Sequence, residues 1–397
     1  MRLEELLEDK KILVCCGGGG VGKTTTAAAI AVRAAMLGRR TLVLTIDPAG
    51  RLANALGVTE LGNEVRVVPR RKFEKAGVPL EGELRAMMLD TKRTFDDLVE
   101  RFALNTEMRD TILANPIYQQ LSDTLAGSRE YMAMEKLFEL HSAGDADLIV
   151  LDTPPTKHAL DFLNAPDRIT DFLEGKLIHW LVKPYFLAGR IGFRVFRRGT
   201  ASVFGILEKV TGVEFLRDLS DFILSFEGMY DGFKQRARRV KALLSSKETG
   251  FLLVTGPNKP LIEETVYFYE KLLEHKMHVD AVIVNKVHAP VETGNGAATR
   301  GEGARRFPAE DARRRLAARM ADAVGFPDFR ATADKLLQNM AHYEVMAEMD
   351  ARNIAALETP LAEAIELIRV PLFPTDVHDF DGLNRLNEYL FEAPTGP

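Results

Sequence analysis

Five short apolar runs punctuate the chain, at Ile12 to Cys16, Thr41 to Ile46, Leu148 to Leu151, Phe251 to Thr255 and Ala281 to Val284. Each has the length of a strand, and long stretches with helical spacing separate them. Unbroken apolar runs of this kind mark strands buried on both faces, so they predict a mainly parallel sheet of the α/β class. In such a sheet the ligand crevice lies beyond the carboxyl ends of the strands. Here those ends carry Gly17 to Thr24, Asp47-Pro48, Asp152-Thr153-Pro154-Pro155 and Asn285-Lys286. The polar chemistry of the chain therefore gathers at one edge of the predicted sheet.

Two regions break the alternation. Residues 95–141 and 156–247 read as helices, and they predict a helical subdomain inserted between sheet strands. Residues 293–307 are polar and glycine-rich with no apolar period, which predicts a flexible loop before a helix that opens at Pro308. Hydrophobic residues make up 46% of the 397 positions, enough for a sizeable core in one large domain or a few smaller ones. The net charge of −5 argues against nucleic acid as the main partner. Two cysteines exclude a disulfide framework and a four-cysteine zinc site within one chain. Residues 1–10 lack the basic start and apolar centre of a secretion signal, and no run of 18 apolar residues occurs, so a cytoplasmic location is expected.

The strongest chemical signal is Gly17-Gly18-Gly19-Gly20-Val21-Gly22-Lys23-Thr24, which follows a predicted strand and opens a predicted helix ending near Gly38. Glycines at this spacing let backbone N–H groups converge on phosphate oxygens, and the helix N-terminus adds partial positive charge. Lys23 supplies a cation to the outer phosphates, and the Thr24 hydroxyl can ligate Mg²⁺. The expected ligand is a nucleoside triphosphate. Asp152, at the end of a strand, fits the acid that holds Mg²⁺ through water. Asp47, at the end of the strand after the loop helix, can orient an attacking water.

Together the phosphate loop, Asp47-Pro48-Ala49, Asp152-Thr153-Pro154-Pro155-Thr156 and Val284-Asn285-Lys286 resemble the ArsA/Get family of dimeric ATPases. That family holds arsenical-pump ATPases and targeting factors for tail-anchored membrane proteins, with MinD- and ParA-type ATPases as relatives. The segment from Val370-Pro371-Leu372-Phe373 through Gly382-Leu383 is similar to the family's adenine-side loop, so the resemblance spans essentially the whole chain, 1–397. It implies a P-loop NTPase fold of the deviant Walker A class, with ATP and Mg²⁺ as cofactors. It also implies that Asp47 is the water-positioning acid of switch I and that Asp152 begins switch II. Asn285 would read the adenine edge, with Thr25, Lys286, Pro371 and Phe373 also on the nucleotide.

This sequence departs from the family pattern in several places. Gly18 stands where the family's loop carries a lysine that reaches the partner subunit's nucleotide, and Arg51 or Lys157 is the candidate replacement. Cys15 and Cys16 are adjacent on a strand, so they face opposite sides and cannot build a three-thiolate arsenite site. The paired Cys-x-x-Cys that holds zinc between targeting-factor subunits is absent, so no zinc is expected.

The resulting expectation is a Mg-ATP-dependent dimeric switch, a homodimer or a heterodimer with a paralogue, whose helical subdomain binds an apolar client or partner. Two alternatives stand beside it: a MinD/ParA-like positioning ATPase acting at a membrane or other surface, and a weakly hydrolysing subunit of a heteromeric ATPase. Residues 177–207 interleave Trp180, Tyr185, Phe186, Phe193, Phe196 and Phe204 with basic residues and no acid. That pattern suits a client or partner helix, peripheral membrane contact, base stacking on a basic groove, or subdomain packing. Met87, Met88, Met132 and Met134 suit either an apolar client surface or the core, and their spacing favours the core.

Overall fold

The computed structural model describes residues 2–46, 50–58, 60–119, 128–155, 218, 222, 230–289, 318, 330–361 and 365–391. Asp47, Lys157, the aromatic and basic segment 177–207 and the glycine-rich segment 293–307 lie outside the described residues.

Among the described residues eight strands form one sheet: β1 (Ile12–Gly17), β2 (Arg40–Thr45), β3 (Arg66–Val67), β4 (Glu83–Met88), β5 (Leu148–Asp152), β6 (Thr249–Thr255), β7 (Val279–Val287) and β8 (Glu366–Pro371). Their order is β3-β4-β2-β5-β1-β6-β7-β8, and every pair is parallel except β3 with β4. The strand carrying the phosphate loop is thus central, with β5 inserted between it and β2. All five strands expected from the apolar runs are present.

Strands β3, β4 and β8 were not legible as apolar runs, for a physical reason. They lie towards the sheet's edges, where one face is half-covered and polar residues alternate with apolar ones. In β4, Leu84 and Ala86 are buried while Glu83 and Arg85 form an ion pair at the strand's margin. In β8, Ile368 and Val370 are buried while Arg369 reaches out to Glu358 at 2.6 Å.

The alternation of side chains along each inner strand divides the core into two layers. Ile12, Val14 and Cys16 of β1 join Leu42, Leu44, Ile149, Leu151, Phe251 and Leu253 on one face. Leu13 and Cys15 join Val43, Leu148, Val150, Leu252 and Val254 on the other. The two cysteines therefore face opposite layers, fully buried. Burial pushes the Cys16 thiol up to about 12 and holds that of Cys15 well above its usual range. Met87, Met132 and Met134 are also core residues.

The second face is covered by α1 (Leu3–Asp9), α2 (Lys23–Met36), α3 (Arg51–Ala55), α4 (Arg70–Lys75) and α11 (Phe380–Phe391). Helix α2 is alanine-rich, a composition that favours helix and lets the backbone lie close to the sheet. Its residues Ala27 to Val32 are fully buried. On the first face lie α5 (Thr91–Phe102), α6 (Thr106–Ala114), α7 (Ser128–Ala143), α8 (Tyr230–Leu244), α9 (Lys259–Glu274) and α10 (Arg330–Glu358). No helix of the described residues is long and apolar enough to cross a membrane.

Helices α7 and α8 are joined by a buried ion pair. Glu135, 1% exposed, accepts from Arg236 Nε at 2.6 Å and from the Tyr131 hydroxyl at 2.7 Å. The guanidinium also lies 5.1 Å from the ring centres of Phe102 and Phe138. Burial, with the Glu135 charge second, holds the Tyr131 phenol well above its usual pKa. Truncating one partner of such a pair strands the other charge in a dry site, at a cost of about 3–5 kcal/mol. Arg236→Ala is expected to lower the denaturation midpoint accordingly, and the double change Arg236→Met with Glu135→Leu to recover most of the loss. A single variant no less stable than wild type would contradict this.

Candidate functional site

The loop between β1 and α2 is shaped by what its neighbours leave room for. Gly17 closes β1, and a side chain there would run into the Val254 carbonyl 1.8 Å away. Gly22 is the N-cap of α2 with φ 98°, and a Cβ on it would stand 2.4 Å from Asn285 Nδ2. Only glycine satisfies both the backbone and the contact there. Gly18 is buried beside Leu261, Gly19 and Gly20 are exposed, and Val21 packs beneath the loop into the core. Lys23, Thr24 and Thr25 form the first turn of α2, whose N–H groups have no acceptor within the helix.

Two polar side chains of that turn are already oriented. Lys23 is buried apart from 7% of its surface, and its Nζ donates to the Gly18 carbonyl at 2.7 Å. Thr24 Oγ1 donates to Asp152 Oδ2 at 2.7 Å, across the parallel pair β1–β5. Thr45, at the end of β2, donates to the same oxygen at 2.8 Å. Asp152 is fully buried, so these hydroxyls fix its carboxylate from two sides. Thr45 was not singled out in the sequence, because a threonine at a strand end carries no signal until its neighbouring strand is known.

Asn285 and Lys286 come from the end of β7 and close over the loop. Asn285 Nδ2 donates to the Val21 carbonyl at 2.8 Å, and its Oδ1 accepts from the Lys286 N–H at 2.9 Å. Both ends of the amide are thus engaged with the protein, and reading an adenine edge would exchange these partners. Lys286 Nζ donates to the Gly20 carbonyl at 2.9 Å.

A cavity of 480 Å³ opens over this arrangement, lined by Gly20, Gly22, Lys23, Thr24, Thr25, Asn285, Lys286, Pro371 and Phe373 among the residues expected from sequence. Gly17, Gly18, Gly19, Val21 and Asp152 do not line it; Gly19 is exposed on the loop, and the other four shape or support the loop from behind. Arg51 lines the cavity at the start of α3. Its far side is the turn after β8, where Asp376 and His378 also contribute, with His378 Nδ1 2.8 Å from the Asp376 carbonyl. Phe373 is braced there by Tyr389, ring centres 5.6 Å apart, and by the Arg385 guanidinium at 5.9 Å. Asp376 and His378 were missed because this turn has no motif of its own.

The donor set suits Mg²⁺. Thr24 and Asp152 offer hydroxyl and carboxylate oxygen, the ligands a hard cation takes, and they meet at the loop's edge. Among the described residues no group of three or more His, Cys, Asp or Glu could hold a metal ion. Mg²⁺ does not need one, since it is bound through one or two protein oxygens together with phosphates and water.

The model of the anion-transporting ATPase family, ArsA type, matches residues 10–299. A protein of Aquifex aeolicus named as an arsenical pump-driving ATPase is 25% identical over 264 residues, which cover 65% of this chain and 59% of that protein. ATPase GET3 of Malassezia globosa is 31% identical over 140 residues, 35% of this chain and 37% of its own length. ATPase ARSA2 of Chlamydomonas reinhardtii is 27% identical over 277 residues, 67% of this chain and 64% of its own. The match therefore spans between about a third and two thirds of each relative's length. The family match runs from the strand before the phosphate loop to beyond Lys286, the stretch that builds most of the cavity. The chain belongs to the ArsA-type anion-transporting ATPase family.

Proposed function

We propose that the chain is a Mg-ATP-dependent ATPase that works as a nucleotide-gated dimeric switch. One observation carries the reading: Lys23 and Thr24, at the mouth of α2, line a cavity closed by Asn285, Lys286 and Phe373, and Asp152 behind them accepts from the Thr24 hydroxyl. In this reading the triphosphate lies along the loop, with N–H groups of the first helical turn on its oxygens and Lys23 exchanging the Gly18 carbonyl for phosphate. Thr24 would hold Mg²⁺ directly and Asp152 through water; when bound, the ion neutralises charge on the outer phosphates. Asp47 would orient the attacking water, and Asn285, Pro371 and Phe373 would hold the base. Arg51, on the cavity wall, or Lys157 would supply the additional cation.

The helical blocks 95–141 and 156–247 would form the part that gains and loses an apolar client surface as the dimer closes and opens. Transport of arsenicals fits poorly: the chain's two cysteines lie fully buried on opposite faces of the sheet, so they cannot meet at one metalloid. A positioning ATPase of the MinD/ParA kind would bind lipid vesicles or DNA only with ATP. The test is mass in solution measured together with ATP turnover, for wild type and Asp47→Asn, with and without Mg-ATP. The switch reading expects a tight dimer on Mg-ATP that Asp47→Asn traps for longer. A wild-type chain that turns over ATP as an unchanging monomer would sink it.

A further inference from the structure

Strand β2 is apolar from Leu42 to Leu44, and its last residue, Thr45, is 2% exposed. Valine has the same branched shape and would suit a buried strand at least as well. A hydroxyl in such a place is a liability unless it is bonded, because burial strips it of water. The Thr45 hydroxyl donates to Asp152 Oδ2 at 2.8 Å. The two residues are register partners in the parallel pair β2–β5, so their side chains leave the sheet on the same side. The main chain makes the same connection, since the Ile46 N–H donates to the Asp152 carbonyl at 3.2 Å. The end of β2 is thus fastened to Asp152 by a side chain and by the backbone.

The two hydroxyls on Asp152 Oδ2 are not equivalent. Thr24 is part-buried and lines the cavity. Its proton goes back to Asp152, and a hydroxyl that donates keeps its lone pairs for a ligand. Thr45 is buried and does not line the cavity. Only Thr24 can therefore meet a bound cation, and Thr45 is the donor that a ligand leaves in place. Without Thr45 the direction of the carboxylate would depend on Thr24, the same hydroxyl that the cation takes. A carboxylate that addresses a metal through water has to hold its direction, and donors behind such groups set metal affinity.

We propose that Thr45 is a positioning residue for the divalent cation: it holds the Asp152 carboxylate beside Thr24 and thereby sets how tightly Mg²⁺ is taken up with the nucleotide. The assignment rests on reading the cavity as a Mg-ATP site. It makes a residue that touches neither nucleotide nor metal a determinant of metal affinity, and not of nucleotide affinity as such.

The test is equilibrium binding of a non-hydrolysable ATP analogue to the whole chain, over a Mg²⁺ titration and in excess chelator. Wild type, Thr45→Val and Thr45→Ser are compared, with thermal midpoints alongside. The Mg²⁺ concentration that gives half of the gain in affinity is expected to rise about 10-fold in Thr45→Val. Binding in chelator should move by less than about twofold, and Thr45→Ser, which keeps the hydroxyl, should stay within about threefold of wild type. Thr45→Ala removes the same hydroxyl and carries the same expectation if the valine variant does not fold. A lower thermal midpoint with an unchanged Mg²⁺ titration would make Thr45 a structural partner of a buried carboxylate and nothing more. An equal loss in chelator would make it a brace for the loop, and a shift in Thr45→Ser as large as in Thr45→Val would tie the effect to shape. Each of these overturns the proposal. Wild-type binding that ignores Mg²⁺, or no binding by wild type at all, overturns the Mg-ATP reading first and this assignment with it.

Discussion

Lys23→Ala is expected to lower ATP turnover by about 10²- to 10³-fold while leaving the fold in place. The ammonium is buried at the first turn of α2 and held on the Gly18 carbonyl of the loop, a partner it would exchange for a phosphate oxygen. Charge that develops on the transferring phosphoryl oxygens in a site shielded from water is stabilised far more strongly than in bulk solvent. Alanine removes that stabilisation without touching the glycines that set the loop's path. Helix α2 should persist, because alanine is the best helix former and the residues below it, Thr26 to Val32, are buried in the core. Steady-state phosphate release measures the effect. Turnover within tenfold of wild type, in a variant with an unchanged melting profile, would mean that Lys23 does not face the reacting phosphate.

The second large effect is expected from Asp152→Asn. One oxygen, Oδ2, accepts from both Thr24 and Thr45, and an amide oxygen can accept the same two bonds. Stability should therefore be retained. What disappears is the negative charge that favours a divalent cation beside Thr24. Turnover is expected to fall by at least about 10²-fold, because a bound metal ion supplies several kcal/mol of charge stabilisation to phosphoryl transfer. The diagnostic feature is the loss of Mg²⁺ dependence. In wild type, ATP affinity should rise as Mg²⁺ is added; in Asp152→Asn it should be nearly flat. A variant with undiminished Mg²⁺ dependence would move the metal away from Asp152.

Much of the fold could be read from the sequence because the inner strands leave an unambiguous mark. Ile12 to Cys16 and Phe251 to Thr255 are sandwiched between two helical layers, so both faces of each strand must be apolar. Strand β8 ends at Pro371 and alternates buried and exposed positions, as an edge strand does, and its pattern merges with that of a polar loop. The phosphate loop could be read for a different reason: Gly17 and Gly22 are forced by contacts that no other residue tolerates, so the sequence has no freedom there. Asp152 stood out through its position after an apolar run. Its partner Thr45 did not, because that role exists only once β2 is laid beside β5.

Lys286 is the clearest case of information that sequence alone withholds. The family resemblance suggested a nucleotide contact, yet what brings its ammonium to the Gly20 carbonyl is a backbone angle beside a skipped pairing. Nothing in Val284-Asn285-Lys286-Val287 announces either one. Similarly, nothing in the sequence showed that the Asn285 amide bonds the Val21 carbonyl and the following N–H, partners that reading an adenine edge would exchange. Side-chain chemistry gave the candidates, and strand register decided where each one reaches.

The most direct test of the account is the rate of phosphate release from ATP by the purified chain as Mg²⁺ is titrated, run beside Lys23→Ala and Asp152→Asn. Saturable, Mg²⁺-dependent release is expected, and both substitutions should remove it from otherwise folded protein. Release that survives both substitutions unchanged would show that the crevice at the ends of β1, β5 and β7 is not where ATP is hydrolysed.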